Sequence, residues 1–279
     1  MPIPESLWED VKHALQEDIG SGDVTAALLP PESMVTADIL AREPLLLCGQ
    51  PWVDATFKSV DARITVSWHF GEGTRLDTPS VLCTLKGPAR SILTAERTAL
   101  NFLQTLSATA TATWEALEKI RGFKTRLLDT RKTLPGLRQA QKYAVRMAGG
   151  TNHRFGLYDA FLIKENHIRA MGSIEAAIAA ARLQRPDLMI EVEVETLSEL
   201  QEALKAAPHR ILLDNFSLEM LEEAVLCRGD APCELEASGG ISGATLADVA
   251  RTGVDFISMG ALTKSIRAID LSLLIREEA

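Results

Sequence analysis

The chain is short of cysteine, of long apolar runs and of positive charge. Its four cysteines form no Cys-x-x-Cys pair and no metal-ligand spacing, which favours reduced thiols and a cytoplasmic location. No apolar run approaches the length that crosses a bilayer, and the first ten residues are acidic rather than basic and then apolar. The formal net charge of −9 argues against a general nucleic-acid or membrane-surface role, so we expect neither partner.

Against this acidic background, residues 129–167 form a cationic island. The stretch holds seven Lys or Arg residues, at 131, 132, 138, 142, 146, 154 and 164, against three acids, at 129, 159 and 165. A local excess of about four positive charges creates a field that gathers anions. We therefore expect this stretch to bind a small substrate that carries several negative charges.

The first third of the chain predicts an α+β domain. Residues 4–19 repeat apolar side chains at helical spacing, and residues 34–88 then alternate with period two, as strands do. The period-two segments predict strands near residues 35–41, 64–70 and 81–85, with a helix inserted at 51–60. One long helical pattern follows at 91–120, with a possible break near Ser107, and we place the domain boundary there.

Six short apolar runs follow residue 122, and helical patterns lie between most of them. The runs are residues 126–129, 160–164, 189–194, 210–214, 234–237 and 255–259. Such alternation indicates βαβ units and a parallel sheet. Their number favours a closed α/β barrel, with an open doubly wound sheet as the alternative.

Polar residues stand where these runs end, and in a parallel barrel those ends share one face. Arginine and lysine on that face suit carboxylate or phosphate, while two acids suit sugar hydroxyls or bound Mg²⁺. Glycine-containing turns let backbone N–H groups approach a phosphate. The predicted pocket contains cations at Arg131, Lys132, His153, Arg154 and Lys164, acids at Glu193 and Asp214, and the turns Ser238-Gly239-Gly240 and Gly260-Ala261.

Some charged residues leave two interpretations open. Glu191, Glu193 and Glu195 alternate with valines, so period two predicts that all three face the barrel interior unless the strand twists or starts late. A second group recurs at helical spacing after Pro135 and is either a solvated helix face or a substrate-facing one: Arg138, Lys142 and Arg146. His167 is either catalytic or, slightly favoured, a structural loop residue.

Eight segments, in order, resemble quinolinate phosphoribosyltransferase. They are ERTALN at 96–101, DTRKTLPGLR at 129–138, NHR at 152–154, KENH at 164–167, EVEVE at 191–195, LDN at 213–215, EASGGI at 236–241 and GVDFISMG at 253–260. DIGSGDVT at 18–25 extends the resemblance almost end to end. Ala148 and Ala108 stand where the family often has glycine, and neither position carries a charge.

The resemblance implies an N-terminal α+β sandwich-like domain at residues 1–107 and an incomplete parallel α/β barrel, of six or seven strands, at 108–265. It implies that the tail, residues 266–279, returns to the first domain. It also implies a homodimer with a shared active site, in which Arg97 reaches into the partner's site to bind quinolinate carboxylates.

The family's chemistry implies the remaining roles. The activity would be decarboxylating transfer from phosphoribosyl pyrophosphate to quinolinate in NAD biosynthesis. Arg131, His153, Arg154 and Lys164 would hold quinolinate, and Lys132 and Lys164 would touch phosphoribosyl pyrophosphate. Glu193 and Asp214 would serve its ribose and Mg²⁺, so Lys132, Lys164, Glu193 and Asp214 form the expected catalytic set. The 5′-phosphate would lie against Ser238, Gly239, Gly240, Gly260, Ala261 and, less specifically, Lys264.

Two other functions remain as alternatives. One is a paralogous phosphoribosyltransferase linked to molybdenum uptake, although the intact DTRKTLPGLR segment favours quinolinate. The other is a non-catalytic barrel that senses a phosphorylated ligand, although such a protein need not keep Lys164, Glu193 and Asp214 together.

Overall fold

The computed structural model describes residues 2–276. Its helices are α1 (Leu7–Ile19), α2 (Gln50–Val60), α3 (Ala89–Lys119), α4 (Arg138–Met147), α5 (Glu165–Met171), α6 (Ile174–Gln184), α7 (Leu197–Ala206), α8 (Leu218–Arg228), α9 (Leu246–Arg251) and α10 (Ala261–Lys264). Its strands are β1 (Met34–Ala41), β2 (Leu45–Leu46), β3 (Thr65–Trp68), β4 (Arg75–Leu76), β5 (Ser80–Pro88), β6 (Arg126–Leu128), β7 (Ala160–Ile163), β8 (Met189–Val194), β9 (Arg210–Asp214), β10 (Glu234–Ser238), β11 (Phe256–Ser258) and β12 (Leu271–Ile275).

The chain forms two compact units. The first contains Met1–Trp114, Thr133–Gly149 and Leu262–Ala279, and the second contains Glu115–Lys132 and Gly150–Ala261. Helix α3 runs without interruption through residue 107, where the sequence suggested a break. Ser107 is wholly buried there, and its hydroxyl donates to the carbonyl of Cys48 at 3.0 Å. The hydroxyl is therefore bound outside its own helix.

A four-stranded antiparallel sheet is the framework of the first unit. Its strand order is β12-β1-β5-β3, and β1 pairs along its length with β5. Strand β12 pairs with β1 from Ala37–Ile275 to Ala41–Leu271, so residues 271–275 of the tail predicted at 266–279 lie in this sheet, and residues 277–279 lie outside the described residues. Ile39, Leu85 and Phe57 are wholly buried between the sheet and its helices. Burying each such side chain contributes about 1.5–3 kcal/mol.

The second unit is built on a parallel sheet of six strands in the order β6-β11-β10-β9-β8-β7. Three of its helices begin at side chains that accept backbone N–H groups: Ser173 for α6, Thr196 for α7 and Ser217 for α8. These caps satisfy donors that a helix start leaves open. The six apolar runs of the sequence coincide with these six strands to within two residues at each end.

Strands β6 and β7 are the two edges of this sheet, so the barrel is incomplete. Besides the pairings between its own six strands, this sheet has one more ladder contact among the described residues, an isolated parallel bridge between Leu128 and Thr151. The residues between the two edge strands form α4 and irregular segments rather than another strand. The fold class is confirmed, with six strands, and the closed barrel that the strand count favoured is wrong.

No helix within residues 2–276 is both long and apolar enough to cross a membrane.

Candidate active site

A cavity of about 290 Å³ lies in the second unit, where the carboxyl ends of its strands meet. Thirteen residues line it: Thr130, Arg131, Lys132, His153, Arg154, Leu162, Lys164, Glu193, Leu212, Asp214, Glu236, Ser238 and Ser258. They belong to all six strands or follow them directly, or lie in the segment after the Thr151 bridge. A larger cavity, of about 550 Å³ in the first unit, has one cationic side chain, Lys58, beside Glu5 and Asp54. The cationic cavity is therefore the candidate active site.

A buried carboxylate holds the segment that carries His153 and Arg154. Asp129 is wholly buried at the end of β6, and its oxygens accept from Asn152 Nδ2 at 2.5 Å and from the backbone N–H of His153 at 2.9 Å. The bridge at Thr151 fixes the same segment from the other side. Asp129 thus positions His153 and Arg154 at the cavity and does not itself line it.

Two guanidinium groups share this part of the cavity. Burial lowers the pKa of Arg154, and the neighbouring charge of Arg131 lowers it further. Both effects disfavour a positive charge, and an anion placed between the two groups would relieve the repulsion between them. Since planar guanidinium groups pair well with carboxylates, the Arg131–Arg154 pair suits a carboxylate-bearing ligand.

His153 uses both ring nitrogens within the protein. Its Nδ1 accepts from the backbone N–H of Arg154 at 2.7 Å, and its Nε2 lies 2.9 Å from Glu191 Oε2 and 3.6 Å from Glu236 Oε2. Because Nδ1 is an acceptor, the ring is assigned as the neutral Nε2–H tautomer. A ring held in this way orders the cavity wall, and its edge lies 2.9 Å from a carboxylate rather than facing an open anion site.

Beneath His153, Glu191 and Glu236 bring two carboxyl groups together inside the barrel. Both side chains are wholly buried, although both are acidic. Burial and, to a smaller extent, the neighbouring Glu191 raise the pKa of Glu236 to about 8, against smaller lowering effects of Ser258 and Arg210. Burial also raises the pKa of Glu191. Two desolvated carboxyls in contact keep a proton between them at neutral pH.

His153, Glu191 and Glu236 could in principle hold a metal, because their ligand atoms lie within 4.8 Å of one another. Two contacts argue against it. A histidine that binds a metal through Nε2 carries its proton on Nδ1. Here Nδ1 has no proton, because it accepts a hydrogen bond from the backbone N–H of Arg154. Arg210 Nη1 already donates to Glu236 Oε2 at 3.2 Å. The cluster fits a hydrogen-bonded acid pair better than a metal centre.

Two other acids lie nearer the mouth of the cavity. Glu193 accepts from the ammonium group of Lys164, with 14% of its side chain exposed against 47% for Lys164. Asp214 ends β9 and accepts from Asn215 Nδ2 at 2.9 Å. Carboxylates that are partly open and line one cavity are the oxygen donors that Mg²⁺ and ribose hydroxyls use. The donor set at Glu193 and Asp214 fits Mg²⁺.

Glycine is required where two of the strands turn away from the sheet. Gly239 has φ +91°, and a Cβ there would come within 2.2 Å of Asn215 Oδ1. A Cβ on Gly260 would lie 2.9 Å from Lys132 Cδ. Each glycine therefore lets a neighbouring polar side chain pass close to the backbone. Both turns follow strands whose ends line the cavity, as the sequence predicted.

The predicted residues divide into three groups. Arg131, Lys132, His153, Arg154, Lys164, Glu193, Asp214 and Ser238 line the cavity. Gly239, Gly240, Gly260 and Ala261 follow directly from β10 and β11 but are outside the lining set. Arg97 is exposed on α3, and it and Lys264 belong to the first unit. Their ligand contacts remain predictions.

Sequence reasoning gave no role to Glu236, Leu162, Leu212, Thr130 or Ser258, which also line the cavity. Glu236 had a usable signal, since it stands two residues before Ser238 and period two places both on one face of β10. The three glutamates in and just after β8 differ in burial: Glu191 is wholly buried, Glu193 is partly buried and Glu195 is exposed. The strand ends at Val194, so Glu195 lies beyond it, and for this residue the open alternative of an outward position applies.

Two open interpretations are resolved by local structure. Lys142 is wholly buried on α4, so a fully solvated face for Arg138, Lys142 and Arg146 is wrong. His167 Nδ1 accepts from the backbone N–H of Lys164 at 3.0 Å and completes a capping box at the start of α5. The structural interpretation of His167 is therefore supported, although the helix it caps was not predicted.

The fold and site together define an α/β barrel protein with an anion-binding site at the carboxyl ends of its strands. Two family models match the chain: the C-terminal domain of quinolinate phosphoribosyl transferase over residues 109–274, and the N-terminal domain over residues 23–107. The chain belongs to the quinolinate phosphoribosyltransferase family. The two family models meet near residue 107, whereas the first compact unit continues to Trp114 before the second begins. The domain limits of 1–107 and 108–265 therefore stay a prediction.

Individual relatives extend this similarity over the whole chain. A nicotinate-nucleotide pyrophosphorylase [carboxylating] of Mycobacterium leprae is 43% identical, with 96% of this chain and 97% of the relative covered. A quinolinate phosphoribosyltransferase [decarboxylating] of Nicotiana tabacum is 38% identical, with 98% and 83% covered. The structure of the nicotinate-nucleotide pyrophosphorylase of Francisella tularensis is 46% identical, with a TM-score of 0.95 and coverage of 99% and 98%.

Proposed function

We propose that this protein is a decarboxylating quinolinate phosphoribosyltransferase of NAD biosynthesis. It transfers the phosphoribosyl group of phosphoribosyl pyrophosphate to the nitrogen of quinolinate and releases pyrophosphate, CO₂ and nicotinate mononucleotide. The observation that carries the proposal is the cavity itself, which gathers Arg131, Lys132, Arg154 and Lys164 together with Glu193 and Asp214. It does so in a chain both of whose parts match the family.

The cations account for binding and orientation. Arg131 and Arg154 both line the part of the cavity beside His153 and pair with the two carboxylates of quinolinate. Lys132 and Lys164 neutralise the phosphates, and Ser238, Gly239, Gly240, Gly260 and Ala261 offer backbone and hydroxyl donors to the 5′-phosphate, with Lys264 as a further cation. Holding two polyanions side by side removes much of the entropic barrier to their reaction.

The carboxylates act on the charge that develops during transfer. As the anomeric carbon loses pyrophosphate it gains positive character, which Glu193 and Asp214 stabilise from one side. These two acids would also hold Mg²⁺ by their oxygens, and the bound ion would supply charge neutralisation for the pyrophosphate. Lys164 donates to Glu193 in the free protein, so substrate binding separates this pair and frees the ammonium group for phosphate.

A homodimer with a shared site completes the proposal. Arg97 is exposed on α3, as a residue that serves a partner must be. Mixing an Arg97→Ala protein with a Lys164→Ala protein tests this, because a hybrid dimer regains one site with both residues. Random exchange then restores roughly a quarter of the wild-type activity, since half of the dimers are hybrids with one native site in two. No recovery after demonstrated subunit exchange contradicts the role of Arg97.

The direct test of the activity mixes the protein with quinolinate, phosphoribosyl pyrophosphate and Mg²⁺. We expect equal amounts of CO₂, pyrophosphate and nicotinate mononucleotide. Replacing quinolinate with nicotinate, which lacks one carboxylate, is the matched control and should give little product. Turnover of nicotinate alone would contradict the proposal. A cytoplasmic location is part of it, since the four cysteines are free and three of them are buried.

A further inference from the structure

The buried acid pair beneath the cavity has no role in the transfer step. Glu236 lines the cavity, yet its side chain is wholly buried. Its Oε1 and the Oε1 of Glu191 have no hydrogen-bond donor among the residues described, while Glu191 Oε2 lies 2.9 Å from His153 Nε2. Two buried carboxyl oxygens without donors are costly in an ionised pair and much less so if the pair holds a proton.

The groups around Glu236 leave that proton in place. On β9, Arg210 donates to Glu236 but also to Glu234, so its single charge is shared between two acids. From the segment after Thr151, His153 is neutral. On β11, Ser258 adds a hydroxyl, and on β8, Glu191 adds a second acid, whose pKa is lowered by the charge of Arg210 and, less, by that of Arg154. Two guanidinium charges are thus shared among Glu191, Glu234 and Glu236, and an excess of acids over cations favours retention of a proton.

The proposed reaction needs a proton at one step. After transfer, the bond from pyridine C2 to its carboxylate breaks, CO₂ leaves, and the electron pair stays on C2 beside the positive nitrogen. The carbanion then forms a C2–H bond or recombines with the CO₂ beside it. A proton donor in the cavity wall makes the loss of CO₂ irreversible.

We propose that the Glu236 carboxyl group donates this proton to C2 of the bound mononucleotide. The proposal rests on the function proposed above and deepens it. The O–H bond of Glu236 breaks as the C2–H bond forms, and the electron pair on C2 becomes that bond. Glu236 is left as a carboxylate facing Arg210 and regains a proton from water before the next turnover.

Glu236→Gln tests the proposal by separating two products. Glutamine keeps an acceptor for Arg210 and the shape of the side chain but carries no acidic proton. We expect pyrophosphate release to stay within about threefold of wild type, while CO₂ release falls about 10²-fold and a mononucleotide with both carboxylates accumulates. Glu236→Asp should recover part of the CO₂ release.

Glu234→Gln is the matched control, because it removes the other acid bound to Arg210 from the same strand. Because Glu234 is outside the cavity lining, the Glu234→Gln protein should release CO₂ and pyrophosphate in equal amounts. Equal products from Glu236→Gln at the wild-type rate would overturn the proposal. An equal loss of both products would also overturn it, since Glu236 would then serve binding or structure.

A wild-type measurement decides the matter if Glu236→Gln does not fold. The ratio of CO₂ to pyrophosphate in the first turnover should stay at one near pH 7 and fall by about pH 9.5, as Glu236 loses its proton. A ratio of one at both pH values would overturn the proposal. A wild-type protein that releases no pyrophosphate would instead contradict the proposed function itself.

Discussion

The two sheets of this protein place charge in opposite ways. In the first unit, the sheet of β1, β3, β5 and β12 packs apolar side chains such as Ile39 and Leu85 against Phe57, and its one acid, Asp38, is paired with the half-exposed Arg276. In the second, the parallel sheet places Glu191, Glu236 and Arg210 inside. Buried charge costs stability unless it is partnered, so the first sheet is built for folding and the second gives up stability for chemistry.

Removing a cation of the cavity should give the largest effect. Arg131→Ala leaves one guanidinium for a carboxylate-bearing substrate, and we expect kcat/KM to fall about 10³-fold. The melting temperature should change little, because the charge faces a cavity rather than a packed core. Steady-state kinetics and calorimetry measure the two effects. Arg251→Ala, at an exposed arginine that pairs with Asp248, is the control and should change neither.

Removing apolar volume from the first sheet should have the reverse pattern. Phe57 is wholly buried, so Phe57→Ala should lower the free energy of unfolding by about 3–5 kcal/mol. The kcat/KM per folded molecule should stay near wild type. Denaturant unfolding and active-site titration test this. A loss of kcat/KM as large as that of Arg131→Ala would show that the two regions do not divide folding from chemistry.

The buried acid of the second sheet should make stability depend on pH. Burial raises the folded-state pKa of Glu236 from 4.5 to about 8, so the folded protein keeps a proton that the unfolded chain has lost. Its contribution is complete below pH 4.5 and is lost as pH rises through 8. The change is on the order of a few kcal/mol, measured by urea unfolding against pH. If the free energy of unfolding of Glu236→Gln depended on pH as that of the wild type does, the raised pKa would not belong to Glu236.

Cutting a surface ion pair of the first sheet should have the smallest effect. Arg276 donates to both oxygens of Asp38 and ties β12 to β1, with 53% of its side chain exposed. Solvent screens such pairs, so Arg276→Ala should cost about 0–1 kcal/mol in urea unfolding. A larger loss would mean that β12 depends on this contact rather than on its backbone ladder.

Much of the fold could be predicted because strand and helix periods are local. The six apolar runs after residue 122 became β6 to β11, and the cations at 131, 132, 154 and 164 reached one cavity. The edges of the sheet could not be predicted in the same way. The edge strands β6 and β7 have the same apolar pattern as the inner strands and differ from them only in lacking a partner strand on one side. Strand β12 was also unmarked by pattern, since its partner β1 lies over 200 residues away.

The sequence by itself determined which chemical groups meet, since parallel strands bring their carboxyl ends to one edge and each run ends in a polar residue. Only the tertiary structure decided how those groups behave. His153 is neutral because its backbone turns Nδ1 toward the N–H of Arg154, and Glu236 keeps a proton because Glu191 is packed against it away from water. Protonation depends on desolvation and on distances of a few ångströms, which no spacing along the chain encodes.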